Sequence, residues 1–237
     1  MLSMIIAFLA PIGLPSGEAM AAVKKKQATA QKYAAAKKFK SRKYVAYHPG
    51  KRLLLAAEQE DANGNPLLSS ASVVVQDQTT GVVMFEKNSG AVLPIASITK
   101  LMTAMVTLDA GLDLQQNLRI GEADIDTQRG SRSRLPVGLE LSREDMLRLA
   151  LMSSDNRAAH ALARQYPGGM SAFIAAMNRK AQALDLAETH FFDPTGLSAA
   201  NVSSARDLVK MVAASSQYPL IRELSTTPEY TIGNQWP

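Results

Sequence analysis

The sequence predicts an α+β domain, a cluster of amphipathic helices against an antiparallel sheet of which one hairpin can be read directly. Three observations carry this: two short β-branched runs around a turn near residue 80, a switch to three-and-four spacing of apolar residues after residue 97, and further helical segments as far as residue 212. A chain of 237 residues, 46% of them hydrophobic, is long enough to bury the core of one main domain.

The elements follow in order. Ser72–Asp77 is a β-rich run, Thr79-Thr80-Gly81 supplies a turn, and Val82–Glu86 is the returning strand. After Asn88-Ser89-Gly90, Ile98, Leu101, Met102, Met105 and Leu108 recur at helical spacing and stop at Gly111, with Ser97 at the start. Ser142-Arg143-Glu144-Asp145 opens a second helix in a capping-box-like pattern. Its interior, Met146, Leu147, Leu149, Ala150 and Leu151, is so apolar that it must be buried. A polar break, Ser153-Ser154-Asp155-Asn156, precedes a helix from Ala158 to Tyr166, which Pro167-Gly168-Gly169 ends. Another starts at Ser171 with Phe173, Ile174, Met177, Ala181 and Leu184 on one face. Ser204-Ala205-Arg206-Asp207 caps a last one through Leu208, Val209 and Val212. So many helices need more sheet to pack on than the hairpin provides.

Composition removes several function classes. With no cysteine there is no thiol nucleophile, no thiolate metal ligand and no disulfide framework. The formal charge of +5 is unevenly spread: residues 1–57 hold 11 Lys/Arg against Glu18 alone, whereas residues 58–237 hold 15 against 20 acids. The body is acidic, so nucleic acid is not implied as a partner. Residues 1–21 read as a signal peptide, because the apolar run Met4–Leu14 is too short to span a bilayer and precedes the small-residue pattern Ala19-Met20-Ala21; the alternative is a buried apolar segment. Residues 22–66 read as a basic flexible arm, either a plain spacer or a tether in electrostatic contact with an anionic wall or membrane surface. Residues 67–237 form the domain proper.

The candidate chemistry starts from Ser97-Ile98-Thr99-Lys100. A spacing of three on a helix stacks the serine and lysine on one face, where a lysine kept partly neutral by burial can take the serine's proton. Backbone N–H groups at the helix start favour negative charge developing on an attacked carbonyl. Ser154-Asp155-Asn156 offers a hydroxyl and an amide for the opposite wall of a cleft; its alternative reading is that Ser154 or Asn156 simply caps the helix starting at Ala158. His48, His160 and His190 lack ligand spacing and read as surface or packing residues.

S-x-x-K followed by S-x-N resembles the signature of serine penicillin-recognising enzymes. The flanks Pro94–Ala104, Leu149–Ala159, Phe192–Leu197 and Asn201–Leu208 narrow this to the low-molecular-mass penicillin-binding proteins of the D-alanyl-D-alanine carboxypeptidase/endopeptidase family. The chain is most similar to the endopeptidase type, over about Ser70 to Thr227. The resemblance implies a penicillin-binding protein/β-lactamase-like transpeptidase fold and a periplasmic serine peptidase of a Gram-negative bacterium. Its substrates would be peptidoglycan peptides, its inhibitors β-lactams, and it would use no metal or other cofactor. It implies Ser97 as the acylated nucleophile, Lys100 as general base, Ser154 as proton shuttle and Asn156 as the substrate-amide ligand.

The family's third element, K-T-G or K-S-G, does not occur in these 237 residues; Thr79-Thr80-Gly81 and Pro194-Thr195-Gly196 differ in their first residue. The expectation is therefore a domain incomplete at the C-terminus and a chain of low activity, since loss of one oxyanion donor lowers rate ~10²–10³-fold. A truncated non-catalytic wall-binding remnant and a serine β-lactamase are the alternative readings.

Overall fold

The computed structural model describes the backbone of Arg42–Val45 and residues 68–232. The expected signal peptide, and most of the expected basic arm, lie outside the described residues. Four residues of that arm, Arg42–Val45, form strand β1, which pairs antiparallel with β8 (Glu229–Ile232) in the register Arg42↔Ile232 to Val45↔Glu229.

The hairpin forms where the β-branched runs placed it. Strands β2 (Val73–Gln76) and β3 (Val83–Lys87) are antiparallel, with a register shift between Val75 and Gln76. Asp77 builds the turn: its Oδ1 accepts the N–H groups of Thr79 (3.1 Å) and Thr80 (2.6 Å) and the Thr80 hydroxyl (2.7 Å), and these bonds hold its carboxyl below the usual range. Gly81 follows at φ +73°, a conformation that glycine adopts without a Cβ penalty.

Three short antiparallel ladders complete the sheet structure: β1 with β8, β4 (Leu93–Pro94) with β7 (Val202–Ser203), and β5 (Asn117–Arg119) with β6 (Glu140–Ser142). The expected single sheet is thus represented, among the described residues, by four two-stranded pieces. Runs of two or three residues are too short to show a period, which is why only the hairpin was legible.

The helices make the core. A 3₁₀ turn (Ala96–Ile98) leads into α1 (Thr99–Asp109), which touches all five others: α2 (Arg143–Met152), α3 (Asn156–Arg164), α4 (Gly169–Ala183), α5 (Ala205–Ser215) and α6 (Pro219–Ser225). Met102, Met105, Met146, Leu147, Leu149, Phe173, Met177 and Met211 are fully buried around it. Each such side chain is worth about 1.5–3 kcal/mol of burial, so α1 is held by the whole cluster. Ser142 caps α2 through the Asp145 N–H (3.0 Å) and Ser204 caps α5 through the Asp207 N–H (3.1 Å), as their sequence patterns predict.

Two helix starts differ from expectation. Helix α3 begins at Asn156 and its cap is Asp155, which accepts the Ala158 N–H (3.1 Å); neither Ser154 nor Asn156 does so. Helix α4 begins at Gly169, with Gly168 at φ +85° turning the chain into it before Ser171. Among the described residues no helix is long and apolar enough to cross a membrane.

Candidate active site

Ser97 lies in the 3₁₀ turn that opens α1, and the turn depends on a close backbone packing. Ala96 sits at φ +47°, and Gly196 at φ +85° lies so near it that a Cβ at 196 would stand 1.9 Å from the Ala96 carbonyl oxygen and 3.0 Å from the Ser97 nitrogen. Only glycine fits there.

The segment carrying Gly196 is itself folded around one carboxylate. Asp193 Oδ1 accepts from the N–H groups of Thr195 (2.5 Å) and Gly196 (2.7 Å) and from the Thr195 hydroxyl (2.6 Å), while Oδ2 accepts the Ser198 N–H (2.7 Å). Asn201, fully buried, ties the loop to α1. Its amide donates to Thr99 Oγ1 (3.0 Å) and the Asp193 carbonyl (2.8 Å), and its Oδ1 accepts the N–H groups of Phe192 (2.8 Å) and Asp193 (3.1 Å). Thr103 adds a bond from its hydroxyl to the Pro194 carbonyl (2.7 Å).

Lys100 is the product of this construction. Only 2% exposed, its Nζ donates to Ser97 Oγ (3.2 Å), Asn156 Oδ1 (2.7 Å) and the Thr195 carbonyl (2.7 Å). Burial pushes its pKa down to about 8, against the opposing charges of Asp155 and Asp193. Three acceptors match the three protons of the ammonium. A neutral amine has two protons and a lone pair, and the two shorter bonds retain the protons. The lone pair then falls toward Ser97 Oγ, as a base for that hydroxyl requires.

Asn156 is placed by α3, where Asp155 caps the helix and is itself buried, accepts from the Ser133 hydroxyl (2.8 Å), and has its carboxyl pushed above the usual range by burial. The Asn156 amide nitrogen donates to Ser131 Oγ (2.9 Å). Asn156 is therefore the anchor of Lys100, and one amide proton remains for a substrate. Ser154 stands apart. It is exposed at φ +54° on the turn before α3 and makes no hydrogen bond among the described residues. The structure thus brings Ser97, Lys100 and Asn156 together, and leaves Ser154 outside that hydrogen-bonded group.

Thr195, Asp193, Asn201 and Gly196 build the surroundings of Ser97 and Lys100, and residue patterns alone left them without a role. The available signal was Asp193-Pro194-Thr195-Gly196, a turn-forming string, but its contact with Lys100 spans 95 residues of sequence. His160 pairs through Nδ1 with Asp124 Oδ1 (2.7 Å), and His190 packs edge-on to Phe192 at 4.6 Å. Among the described residues no group of three or more His, Asp or Glu side chains could hold a metal ion.

Residues 59–235 match the model of the peptidase S11 family, D-alanyl-D-alanine carboxypeptidase. The chain belongs to this family. It is 54% identical over 170 residues to a D-alanyl-D-alanine endopeptidase of Pseudomonas aeruginosa, a match covering 72% of this chain and 55% of that protein. It is 52% identical over 164 residues to one of Escherichia coli, covering 69% and 53%. The crystal structure of the Streptomyces K15 DD-transpeptidase superposes with a TM-score of 0.63 at 28% identity, covering 67% of this chain and 65% of that one. The fold is therefore that of the penicillin-binding DD-peptidases. The chain spans about half the length of the curated relatives it matches.

Proposed function

We propose that this chain carries the nucleophile half of a serine-type D-alanyl-D-alanine endopeptidase/carboxypeptidase acting on peptidoglycan stem peptides through an acyl-enzyme. The observation that supports this most is the buried Lys100, whose amine reaches Ser97 Oγ at 3.2 Å while Asn156 and Thr195 hold its other protons.

In this reading neutral Lys100 takes the Ser97 proton as Oγ attacks the carbonyl carbon of the penultimate D-alanine. The C–N bond to the leaving amine breaks as Ser154 relays a proton to that nitrogen. Water then attacks the ester, releasing the shortened peptide and restoring the Ser97 hydroxyl. With no hydrogen bond to it among the described residues, the Ser154 hydroxyl is available to an entering peptide. Asn156 offers its remaining amide proton to the substrate. Penicillins, which resemble the acyl-D-Ala-D-Ala end, acylate the same serine. The mechanism calls on no metal or organic cofactor. The relatives named as endopeptidases favour cleavage of cross-links, and the expected export signal is consistent with a periplasmic substrate.

Digestion of purified cross-linked muropeptides tests the assignment. Conversion of dimers to monomers is the expected result, and removal of a single terminal D-alanine instead assigns a carboxypeptidase. No product from a folded chain would contradict catalytic competence of these 237 residues.

A further inference from the structure

A small cavity opens beside the catalytic group, and the loop that runs on from its wall carries two exposed arginines that the mechanism above does not use. The cavity is about 130 Å³ and is lined by Asp126, Thr127, Gln128, Asn156, His160 and Thr195 among others. Asn156 and Thr195 are the two groups that anchor Lys100, so the cavity is an annex of the same cleft.

Asp126, Thr127 and Gln128 of its wall begin the segment 126–135, Asp-Thr-Gln-Arg-Gly-Ser-Arg-Ser-Arg-Leu, which is held in place at several points. Asp126 accepts the N–H groups of Gln128 (2.8 Å), Arg129 (3.0 Å) and Ser131 (2.8 Å). Ser131 accepts from Asn156, Ser133 donates to Asp155, and the Leu135 carbonyl accepts from Arg157 (2.5 Å). Between these anchors Arg129 and Arg132 are exposed, and neither has an acidic partner among the described residues.

Three acids of this region are already engaged. Asp124 is buried and held by Arg164 (2.8 and 2.9 Å) and His160, Asp126 is used on backbone N–H groups, and Asp155 is buried on Ser133 and Ala158. The loop therefore presents two exposed guanidinium groups, without an acidic partner among the described residues, on either side of Ser131, which is hydrogen-bonded to Asn156. Guanidinium binds carboxylate in a planar, two-pronged geometry, and on a fixed loop little further ordering is needed.

We propose that Arg129 and Arg132 form a carboxylate-recognising rim, which favours stem peptides bearing a free carboxylate upstream of the reacting D-alanine over the same peptides with that group amidated. The inference rests on the proposed function, in which Asn156, the hydrogen-bond partner of Ser131, offers its remaining amide proton to the substrate.

The test uses the full chain in the Ser97→Ala background, with two labelled synthetic peptides ending in D-Ala-D-Ala that differ only in one carboxylate, free or amidated. Fluorescence polarisation should show the acid form bound about tenfold more tightly at low salt, with the preference collapsing near 1 M salt, where the screening length is about 3 Å. Arg129→Gln/Arg132→Gln should abolish the preference by weakening only the acid form, and Arg129→Lys/Arg132→Lys should restore part of it. Equal binding of the two peptides, equal loss of both in the glutamine variant, or binding of neither would overturn the proposal. Penicillin acylation of the parent chain scores the underlying function separately: acylation without a carboxylate preference rejects the rim alone, and a preference without acylation rejects the catalytic reading alone.

Discussion

Ser97 and Ser154, assigned to one reaction in the proposed mechanism, are held very differently. Ser97 belongs to a turn locked by Gly196, and its partner Lys100 is buried and hydrogen-bonded to residues from three separate segments. Ser154 is exposed, in a left-handed backbone conformation, with no side-chain partner among the described residues. The base side of the cleft is thus part of the fold's own packing, whereas the Ser154 side is positioned by backbone alone. Damage to the first should lower stability and chemistry together, and damage to the second should lower chemistry alone.

The largest expected effect is at the base. Lys100→Ala removes the buried amine beside Ser97 and should slow penicillin acylation by ~10³-fold or more, measured by stopped-flow or by gel-resolved fluorescent penicillin. Ser154→Ala should slow acylation by ~10²-fold while leaving the thermal midpoint unchanged. A large fall in the midpoint would show that Ser154 has a structural role and would break the contrast. Asn201→Ala removes four hydrogen bonds of a buried amide, so it should cost about 2–3 kcal/mol of stability in denaturant unfolding and lower acylation too. The smallest effect, taken per pH unit, is in the pH profile. In the proposed mechanism Lys100 is a base only when neutral, and burial pushes its pKa down to about 8, so the acylation rate should rise about tenfold per pH unit below 8 and level off above it. A rate independent of pH between 6 and 9 would remove Lys100 from the role of base.

The sequence revealed the helices because Met102 and Met105 on α1, and Phe173, Met177 and Ala181 on α4, recur at three-and-four spacing on one face of their helix and are in fact buried. It revealed the Ser97–Lys100 pair because a separation of three is a local property of a helix start. The Ser154–Asn156 turn was legible as a polar break, yet which of its side chains caps α3 was not. Ser154, Asp155 and Asn156 are all competent caps, and it is Asp155 whose backbone, φ −70° and ψ 120°, takes the extended conformation of a cap and whose carboxylate accepts the Ala158 N–H. The contacts of Lys100 with Thr195, and of Asn201 with Thr99, join residues 95 and 102 apart. No periodicity reports such pairings. The short ladders and the seven-residue α6 escaped for a related reason, since elements of that length carry little pattern.

Intact mass spectrometry of the folded chain after incubation with a penicillin, beside a Ser97→Ala control, tests the central claim most directly. The account predicts addition of one penicillin mass to the parent chain and none to the control. A folded chain that gains no adduct, or an adduct that persists in the control, would contradict it.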